Sequence, residues 1–208
     1  MNAVIICAAP QSDASYIKKY ISDAALVLCA DGGFRYARQY GISPDFIIGD
    51  MDSCGGMPTE NVRCVVLNPH KDDTDTICCV EKAIESGCED ITLLCALGGR
   101  IDHTLANIAV LDYIQNRGAK GRIVSQTETV TMLKDEKYTV NGKKGKTFSL
   151  FAYNCEKCTV SYCGAEYPLH NYEMQSGYPI GVSNVFTSDF AQITVKGGKA
   201  IFIINEEI

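Results

Sequence analysis

The sequence predicts two fold classes in succession, α/β and then all-β. An open, mostly parallel α/β sheet domain is expected over residues 1–124 and a small antiparallel β-sandwich domain over residues 125–208. The first part alternates short, continuously apolar runs with helical stretches, which is typical of parallel strands covered on both faces. The second part places apolar residues at every second position and has no long helical pattern, which favours antiparallel strands.

Six apolar runs predict the strands of the first domain. They are Val4–Cys7, Leu26–Ala30, Phe46–Ile48, Val62–Leu67, Ile91–Leu97 and Arg122–Val124. Two stripes at helical spacing lie between these runs: Ile77, Val80 and Ile84, and then Leu105, Ile108 and Leu111 or Asp112. Gly87 and residues 116–118 mark the expected helix ends. Strands and helices that take turns along the chain predict a parallel sheet with crossover helices.

The second domain is predicted from alternation and turn residues. Thr159–Tyr162, Gln192–Val195 and Ala200–Ile204 alternate between apolar and polar side chains. The Lys196-Gly197-Gly198-Lys199 segment between the last two runs predicts a hairpin, and Asn141-Gly142 predicts another turn. These features favour a sandwich of two antiparallel sheets.

Charge and hydropathy limit the classes of partner. The net charge of −6 argues against nucleic acid and anionic membrane, both of which bind clusters of Lys and Arg. No apolar stretch approaches the roughly 20 residues that a membrane-spanning helix needs. The first apolar run lacks a basic flank and a typical cleavage site, so we expect a buried strand rather than a signal peptide.

Eleven cysteines without a secretory signal point to a reducing compartment, which we expect to be the cytoplasm. Cys7, Cys29, Cys64 and Cys95 lie inside apolar runs, where a free thiol behaves as a small apolar group. Cys155-x-x-Cys158 (Cys163 lies nearby) forms a lone CxxC pattern. In an extended segment its two side chains would face opposite sides, so structural cysteines are favoured over a zinc or redox site.

Acidic residues follow four successive predicted strands. They are Asp31 after the second run, Asp50 and Asp52 after the third, Asp72, Asp73 and Asp75 after the fourth, and Asp102 after the fifth. In an open parallel sheet, ligands bind beyond the carboxyl ends of the strands. The carboxylates are therefore expected to share one edge of the sheet.

Clustered carboxylates raise each other's pKa, so this arrangement favours a bound cation. Oxygen ligands without paired histidine or nearby cysteine favour magnesium or calcium, and Mg²⁺ commonly joins one or two carboxylates to substrate phosphates. Asp50 and Asp52 would lie on one side of an extended segment, where they bind one ion or flank a pair. We expect a metal–phosphate site here.

Glycines and cations near the same edge suit a phosphate ligand. Gly32-Gly33 and Gly98-Gly99 each end a strand before a helix, where backbone N–H groups are available to an anion. Lys71 and Arg100 are the cations best placed to bind phosphate oxygens. The sequence contains neither a P-loop nor a dinucleotide-binding pattern.

Each motif also has an ordinary structural interpretation. Asp-Gly-Gly is common in plain turns, and Asp73 or Thr74 is suited to cap the following helix. His103 at a helix start is often a structural hydrogen-bonding residue, and Arg100 is suited to a routine salt bridge. The joint placement of the four acidic motifs after successive strands favours the functional interpretation.

In combination, these motifs resemble the signature blocks of the thiamine pyrophosphokinase family. The blocks are Ala30-Asp31-Gly32-Gly33, Gly49-Asp50-Met51-Asp52-Ser53, Asp72-Asp73-Thr74-Asp75 and Gly99-Arg100-Ile101-Asp102-His103. Tyr167-Pro168-Leu169, followed by Gly181-Val182-Ser183-Asn184, resembles the thiamine-binding β domain of that family. The resemblance implies Mg²⁺-dependent transfer of pyrophosphate from ATP to the thiamine hydroxyl, with AMP as the second product. It also implies a homodimer in which thiamine lies between the catalytic domain of one subunit and the β domain of the other.

The resemblance also implies roles for individual residues. Magnesium would be held by Asp50, Asp52 and Asp75. The nucleotide and its phosphates would contact Asp31, Gly32, Lys71, Asp73, Thr74, Gly99, Arg100 and His103. Asp102 would orient or help deprotonate the attacking hydroxyl, with Asp75 and Arg100 also catalytic, and Ser183 and Asn184 would contact thiamine. Animal members place a tryptophan beside the thiamine ring, whereas this chain has none, so another residue has to supply that contact.

Two other functions are compatible with the same motifs. A pyrophosphokinase acting on hydroxymethylpterin would keep the catalytic domain and change the acceptor, although the Ser183-Asn184 block favours thiamine. A non-catalytic nucleotide or thiamine sensor would bind its ligands without releasing AMP.

Overall fold

The computed structural model describes residues 1–50, 62–67 and 73–206. The chain divides into two compact units, Met1–Gln126 and Thr127–Ile208. The boundary expected from the sequence, between residues 124 and 125, falls next to this division. No helix among the described residues is both long enough and apolar enough to cross a membrane.

The first unit contains a parallel sheet, as the apolar runs predicted. Its described strands are β1 (Asn2–Ile6), β2 (Leu26–Ala30), β3 (Phe46–Gly49), β4 (Arg63–Val66), β5 (Asp90–Leu94) and β6 (Lys120–Val124). They pair in parallel in the order β6-β5-β1-β2-β3-β4. Each predicted run overlaps one of these strands. Ile5, Leu28 and Ile47 are fully buried, which explains the unbroken apolar character of the central runs.

The outermost strand departs from the prediction of burial on both faces. All four residues of β4 are exposed, including Cys64, which lies inside the predicted apolar run. β4 stands at the end of the strand order and pairs with β3. An edge strand has a neighbour on one side, so an apolar run does not ensure burial there.

Four helices are described in the first unit: α1 (Lys18–Ile21), α2 (Phe34–Gln39), α3 (Asp75–Glu85) and α4 (Ile101–Asn116). Short 3-10 turns lead into α1 and α2 at Ser15–Ile17 and Asp31–Gly33. The Thr74 hydroxyl accepts a hydrogen bond from the backbone N–H of Ile77 at 3.3 Å and thereby caps α3. In the predicted stripe of α3, Val80 is buried, whereas Ile77 and Ile84 are half-buried.

The predicted stripe of α4 is wrong at its first residue. Leu105 is 60% exposed, and the buried residues of the helix begin with Asn107 and continue through Leu111 and Ile114. The first turns of α4 border a cavity through His103 rather than covering the sheet. The apolar spacing therefore did not predict burial in the first turns of α4.

The second unit is built from antiparallel strands, as predicted. They are β7 (Glu128–Lys134), β8 (Lys137–Asn141), β9 (Thr147–Ala152), β10 (Lys157–Cys163), β11 (Leu169–Gln175), β12 (Asn184–Val185), β13 (Phe190–Lys196) and β14 (Lys199–Asn205). Within this unit the strands pair in two orders, β12-β9-β14-β7 and β11-β10-β13-β8. The core between them includes Phe148, which stacks on Phe186 with ring centroids 4.4 Å apart.

The hairpin predicted at Lys196-Gly197-Gly198-Lys199 is wrong, although a turn is present. β13 pairs with β8 and β10, whereas β14 pairs with β7 and β9. The turn therefore carries the chain from one sheet to the other. The bend at Gly142 likewise joins β8 to β9, which belong to different sheets. Alternation identified the strands but not their partners.

All cysteines in the described part of the chain are free thiols. Cys155 lies in a bend before β10 and its Sγ donates to the carbonyl of Lys199 at 3.4 Å, so the extended geometry considered for the CxxC pattern does not apply. Burial raises the pKa of Cys158 to about 11, which keeps this thiol protonated.

Among the described residues, no group of three His, Cys, Asp or Glu side chains is arranged to hold a metal ion.

Candidate active site

A cavity of about 720 Å³ lies at the carboxyl-terminal edge of the parallel sheet. Its walls come from the segments that follow β1, β2, β3 and β5 and from the first turns of α3 and α4. The lining residues predicted from the sequence are Asp31, Asp50, Asp73, Thr74, Asp75, Gly99, Arg100 and His103. The parallel topology therefore brings together motifs that are far apart in the chain. Asp52, Lys71 and Asp72 lie outside the described residues, and Gly32 is buried beside Asp31 without lining the cavity.

Four carboxylates and two guanidinium groups line this cavity among the described residues. Asp31 follows β2, Asp50 follows β3, and Asp75 begins α3. Asp73 and Asp75 flank Thr74, the residue that caps the start of α3. Both therefore lie where this helix begins at the cavity. This excess of negative charge is suited to a ligand that arrives with a cation.

Asp31 packs closely against Gly49, the residue before Asp50, because Gly49 has no side chain. A β-carbon at Gly49 would lie 2.6 Å from the Cβ of Asp31, which is closer than real contacts allow. Asp31 itself adopts a φ of 39°, in the left-handed region that aspartate tolerates better than most residues. The ends of β2 and β3 therefore pack closely, and Asp31 and Asp50 line the same cavity.

Cys7 lines the cavity beside these oxygen ligands but is a poor metal ligand. Its Sγ lies 3.8 Å from the hydroxyl oxygen of Thr76, and burial raises the pKa of the thiol to about 12. A protonated thiol does not compete with carboxylates for a cation. The four carboxylates of the cavity are hard oxygen donors, which suit Mg²⁺.

The glycine pair after β5 forms another wall of the cavity. Gly99 has a φ of +68°, and a β-carbon there would lie 2.7 Å from the Cδ of Pro10. The N–H of Gly98 donates to the hydroxyl of Thr104 at 3.3 Å, which ties the turn to α4. The buried amide of Asn107 donates to the carbonyl of Ala96 at 2.8 Å and anchors α4 to the end of the sheet.

Arg100 and Asp102 form a two-point ion pair at the start of α4. The Nε of Arg100 donates to Oδ1 of Asp102 at 3.1 Å, and its Nη2 donates to Oδ2 at 2.6 Å. Arg100 lines the cavity, whereas Asp102 does not. The hydrogen bond from Arg100 holds the pKa of the Asp102 carboxyl below its usual range, so Asp102 is a weak proton acceptor.

Sequence reasoning missed several residues of the cavity wall, among them Arg35, Pro10 and Asn107. Arg35 lies in the first turn of α2, four residues after Asp31, and its Nε donates to the carbonyl of Gly32 at 3.2 Å. The position of a cation just after a strand–glycine–helix junction could have identified it. Pro10 follows β1, and the rule applied to the other strand ends predicts this segment too. No feature of the sequence pointed to Asn107 as a lining residue.

A second, smaller pocket of about 250 Å³ lies in the second unit. Its walls are mainly apolar and aromatic, and they consist of Tyr162, Tyr167, Leu169, Tyr172, Ile180, Gly181, Val182 and Asn184. Tyr167 is 66% exposed, and Ile180 and Val182 are also exposed apolar side chains. Aromatic walls without a charged lining residue suit a flat, ring-bearing ligand.

Of the two residues predicted to contact thiamine, one lines the pocket and the other does not. Asn184 lines the pocket, but it is only 5% exposed and its amide is hydrogen-bonded within the protein. Its Nδ2 donates to the carbonyl of Tyr167 at 2.8 Å and to the hydroxyl of Tyr162 at 3.4 Å. Ser183 is exposed and is not part of the pocket wall.

Comparison with known proteins assigns both units. The model "Thiamin pyrophosphokinase, catalytic domain" matches residues 17–123, and the model "Thiamin pyrophosphokinase, vitamin B1 binding domain" matches residues 133–200. The chain belongs to the thiamin pyrophosphokinase family. Proteins of this family are kinase-type transferases, so the chain is an enzyme of that class.

Individual relatives agree with this assignment. A thiamine pyrophosphokinase of Bacillus subtilis (strain 168) is 24% identical over 186 residues, which cover 86% of this chain and 87% of the relative. The crystal structure of thiamine pyrophosphokinase from Bacillus subtilis matches with a TM-score of 0.88 at 21% identity and covers 100% of both chains. Thiamin pyrophosphokinase from Candida albicans matches with a TM-score of 0.82 at 18% identity over 99% of this chain and 90% of its own. The structural matches establish the fold.

Proposed function

We propose that this enzyme transfers a pyrophosphoryl group from ATP to the hydroxyl of thiamine, giving thiamine diphosphate and AMP. The observation that carries the proposal is the cavity at the sheet edge, where four carboxylates and two guanidinium groups meet. Membership of the thiamin pyrophosphokinase family supports thiamine as the acceptor.

In this proposal Asp50 and Asp75, together with Asp52, hold Mg²⁺. The carboxylates of the cavity fit this ion, which takes one or two carboxylates and completes its coordination with water and phosphate oxygens. Bound magnesium would neutralise charge on the β- and γ-phosphates. Asp31, which packs against Gly49 beside Asp50, would line the nucleotide and phosphate site in the same cavity.

The cations and the glycine turn would bind the ATP phosphates. Arg35 and Arg100 lie on the cavity wall, and a guanidinium group binds phosphate oxygens through two parallel hydrogen bonds. Gly99 keeps the turn free of side chains, so that phosphate oxygens can reach backbone N–H groups. Lys71, Asp73, Thr74 and His103 complete the nucleotide site in this proposal.

The acceptor would place its ring against the tyrosine pocket of the second unit. Thiamine carries a cationic thiazolium ring, and the face of an aromatic side chain attracts a cation. Tyr167 is exposed and lines this pocket, so it can supply the ring contact for which the chain has no tryptophan. Ser183, exposed beside the pocket, would contact the acceptor from the rim.

The chemical step is an in-line displacement. The thiamine hydroxyl oxygen forms a bond to the β-phosphorus, the bond from that phosphorus to the oxygen bridging it to the α-phosphorus breaks, and AMP leaves with the bonding electrons. The hydroxyl proton is released to solvent. Reactions of this kind depend on the positions of the reactants and on charge stabilisation, which the side chains of the cavity provide.

Mass spectrometry of the product distinguishes thiamine from other acceptors. The enzyme would be incubated with ATP, Mg²⁺ and either thiamine or hydroxymethylpterin. We expect thiamine to gain the mass of two phosphates and the pterin to remain unmodified. A pyrophosphorylated pterin with unmodified thiamine would identify the alternative acceptor, and binding of ATP or thiamine without any product would identify a sensor.

We also propose that the enzyme works as a homodimer that shares its active sites between subunits. Family membership supports this assembly. Light scattering of the active enzyme tests it, because a fully active monomer would exclude shared sites.

A further inference from the structure

The ion pair between Arg100 and Asp102 uses one edge of the guanidinium group. Nε and Nη2 of Arg100 each donate one hydrogen bond to the carboxylate of Asp102. A guanidinium group carries five N–H donors in a fixed plane. Both hydrogens of Nη1 and the second hydrogen of Nη2 are therefore outside this pair, and one hydrogen from each of these nitrogens forms a second edge.

The carboxylate that holds Arg100 is itself fixed in place. Oδ1 of Asp102 also accepts the backbone N–H of His103 at 3.0 Å, at the first turn of α4. Asp102 stands outside the cavity wall, whereas Arg100 belongs to it. The carboxylate therefore anchors the guanidinium group from outside the cavity.

We propose that Asp102 is a positioning residue for the reaction: it holds Arg100 by the Nε–Nη2 edge so that the Nη1–Nη2 edge binds a phosphate of ATP. This inference rests on the proposed function, and it replaces the role of proton acceptor that the family resemblance implied for Asp102. A side chain whose two oxygens accept hydrogen bonds from Arg100 and His103, and which lies outside the cavity wall, is poorly placed to take a proton from the acceptor.

We expect the ion pair to orient the guanidinium group of Arg100 and not to stabilise the fold. The Arg100 and Asp102 side chains are 74% and 61% exposed, and exposed ion pairs contribute little to protein stability. Loss of the pair should therefore leave the unfolding midpoint unchanged. The effect should appear in the binding of ATP, because a freely rotating guanidinium group has to be ordered again when phosphate binds.

The test is a double-mutant cycle with Asp102→Asn, Arg100→Ala and the double variant. We expect Asp102→Asn to raise KM for ATP about tenfold, to leave KM for thiamine unchanged, and to have no further effect in the Arg100→Ala background. If Asp102 instead removes the proton, Asp102→Asn would lower kcat about as strongly with Arg100 present as without it, and this result would overturn the proposal.

Glu173→Gln is a matched control, since it breaks another exposed ion pair, between Lys157 and Glu173 at 2.7 Å. It should leave both KM values unchanged. If Arg100→Ala is too slow to assay, calorimetric binding of Mg·ATP is measured for the same four proteins, and an equal loss on Asp102→Asn in both backgrounds would contradict the proposal. Absence of AMP formation by the wild-type enzyme would refute the proposed function, whereas normal wild-type turnover with an additive Asp102 effect would refute only the positioning role.

Discussion

Asn184 is hydrogen-bonded to both backbone groups of Tyr167. The N–H of Tyr167 donates to Oδ1 of Asn184 at 3.1 Å, and Nδ2 of Asn184 donates to the carbonyl of Tyr167 at 2.8 Å. Oδ1 also accepts the N–H of Val185 at 2.9 Å. A buried side chain thus fixes the segment that carries an exposed tyrosine on the wall of the smaller pocket.

We predict that Asn184→Ala lowers the free energy of unfolding by about 2 kcal/mol, because the polar groups that Asn184 now satisfies would lose their partner. Urea denaturation measures this change. Glu166→Ala is the control, because Glu166 is exposed on the same segment and its replacement should change stability by less than about 0.5 kcal/mol. Equal stabilities of the two variants would show that the amide does not support the segment.

Replacement of Tyr167 tests the aromatic contact with the acceptor. We predict that Tyr167→Ala raises KM for thiamine about tenfold, because an exposed or partly desolvated cation–aromatic contact contributes about 1 kcal/mol or more. Tyr167→Phe keeps the ring and should stay close to wild type. Tyr178→Ala removes an equally exposed tyrosine that does not line the pocket and should have no effect on KM. Steady-state kinetics at saturating ATP measure these values, and an unchanged KM for Tyr167→Ala would rule out the contact.

Loss of a proposed magnesium ligand should abolish turnover without unfolding the protein. We predict that Asp75→Asn and Asp50→Asn each lower kcat at least about a hundredfold, since positioning and charge stabilisation account for most of the catalysis. Asp90→Asn is the control, because Asp90 is exposed at the opposite end of its strand from the cavity. Activity is measured over a range of Mg²⁺ concentrations, and circular dichroism checks the fold. Near-normal activity of Asp75→Asn at saturating Mg²⁺ would remove Asp75 from the ligand set.

Comparison of two glycines distinguishes the cost of backbone strain from the cost of a steric contact in the active-site turn. Gly99 and Gly41 have φ values of +68° and +69°, but a β-carbon at Gly41 meets nothing within 4 Å. We predict that Gly41→Ala costs about 1–2 kcal/mol through its φ value alone. Gly99→Ala should cost more and should also lower activity, because its β-carbon would displace Pro10 on the cavity wall. Thermal unfolding and initial rates of both variants provide the comparison, and equal losses in the two would show that the contact with Pro10 is unimportant.

The cysteines should differ widely in reactivity. Since burial raises the pKa of Cys7 to about 12, only about one Cys7 in ten thousand is ionised at pH 8. The thiolate fraction rises as the pH approaches the pKa, so alkylation of Cys7 should remain slow below pH 10. Cys64 and Cys163 are exposed and should be alkylated by iodoacetamide before Cys7. Peptide mass mapping after a short exposure measures the order, and early modification of Cys7 would contradict its burial.

The fold could be predicted where a single physical rule decides the outcome. Buried parallel strands have to be apolar on both faces, and β2 matches its predicted bounds at Leu26–Ala30. The rule fails at the sheet edge, where β4 is exposed although its sequence is apolar. It also gives no strand partners, which explains why Gly197 was assigned to a hairpin when it joins two sheets.

The candidate site could likewise be predicted only in part. The convergence of Asp31, Asp50 and Asp75 could be predicted because the carboxyl ends of parallel strands share one edge. The hydrogen-bond partners of Asn184 and Asp102 could not, because a motif identifies a residue without showing which atoms it contacts. Asn184 and Asp102 turn toward protein groups in the structure, and both contacts depend on backbone geometry that the sequence does not encode locally.

The identity of the released nucleotide tests the central claim most directly. Phosphorus NMR of the purified enzyme with ATP, thiamine and Mg²⁺ would follow both products during one reaction. We predict AMP and thiamine diphosphate in equal amounts, and no reaction when the magnesium is chelated. Release of ADP with thiamine monophosphate would contradict transfer of pyrophosphate, and full activity without a divalent cation would contradict the role proposed for the carboxylates at the sheet edge.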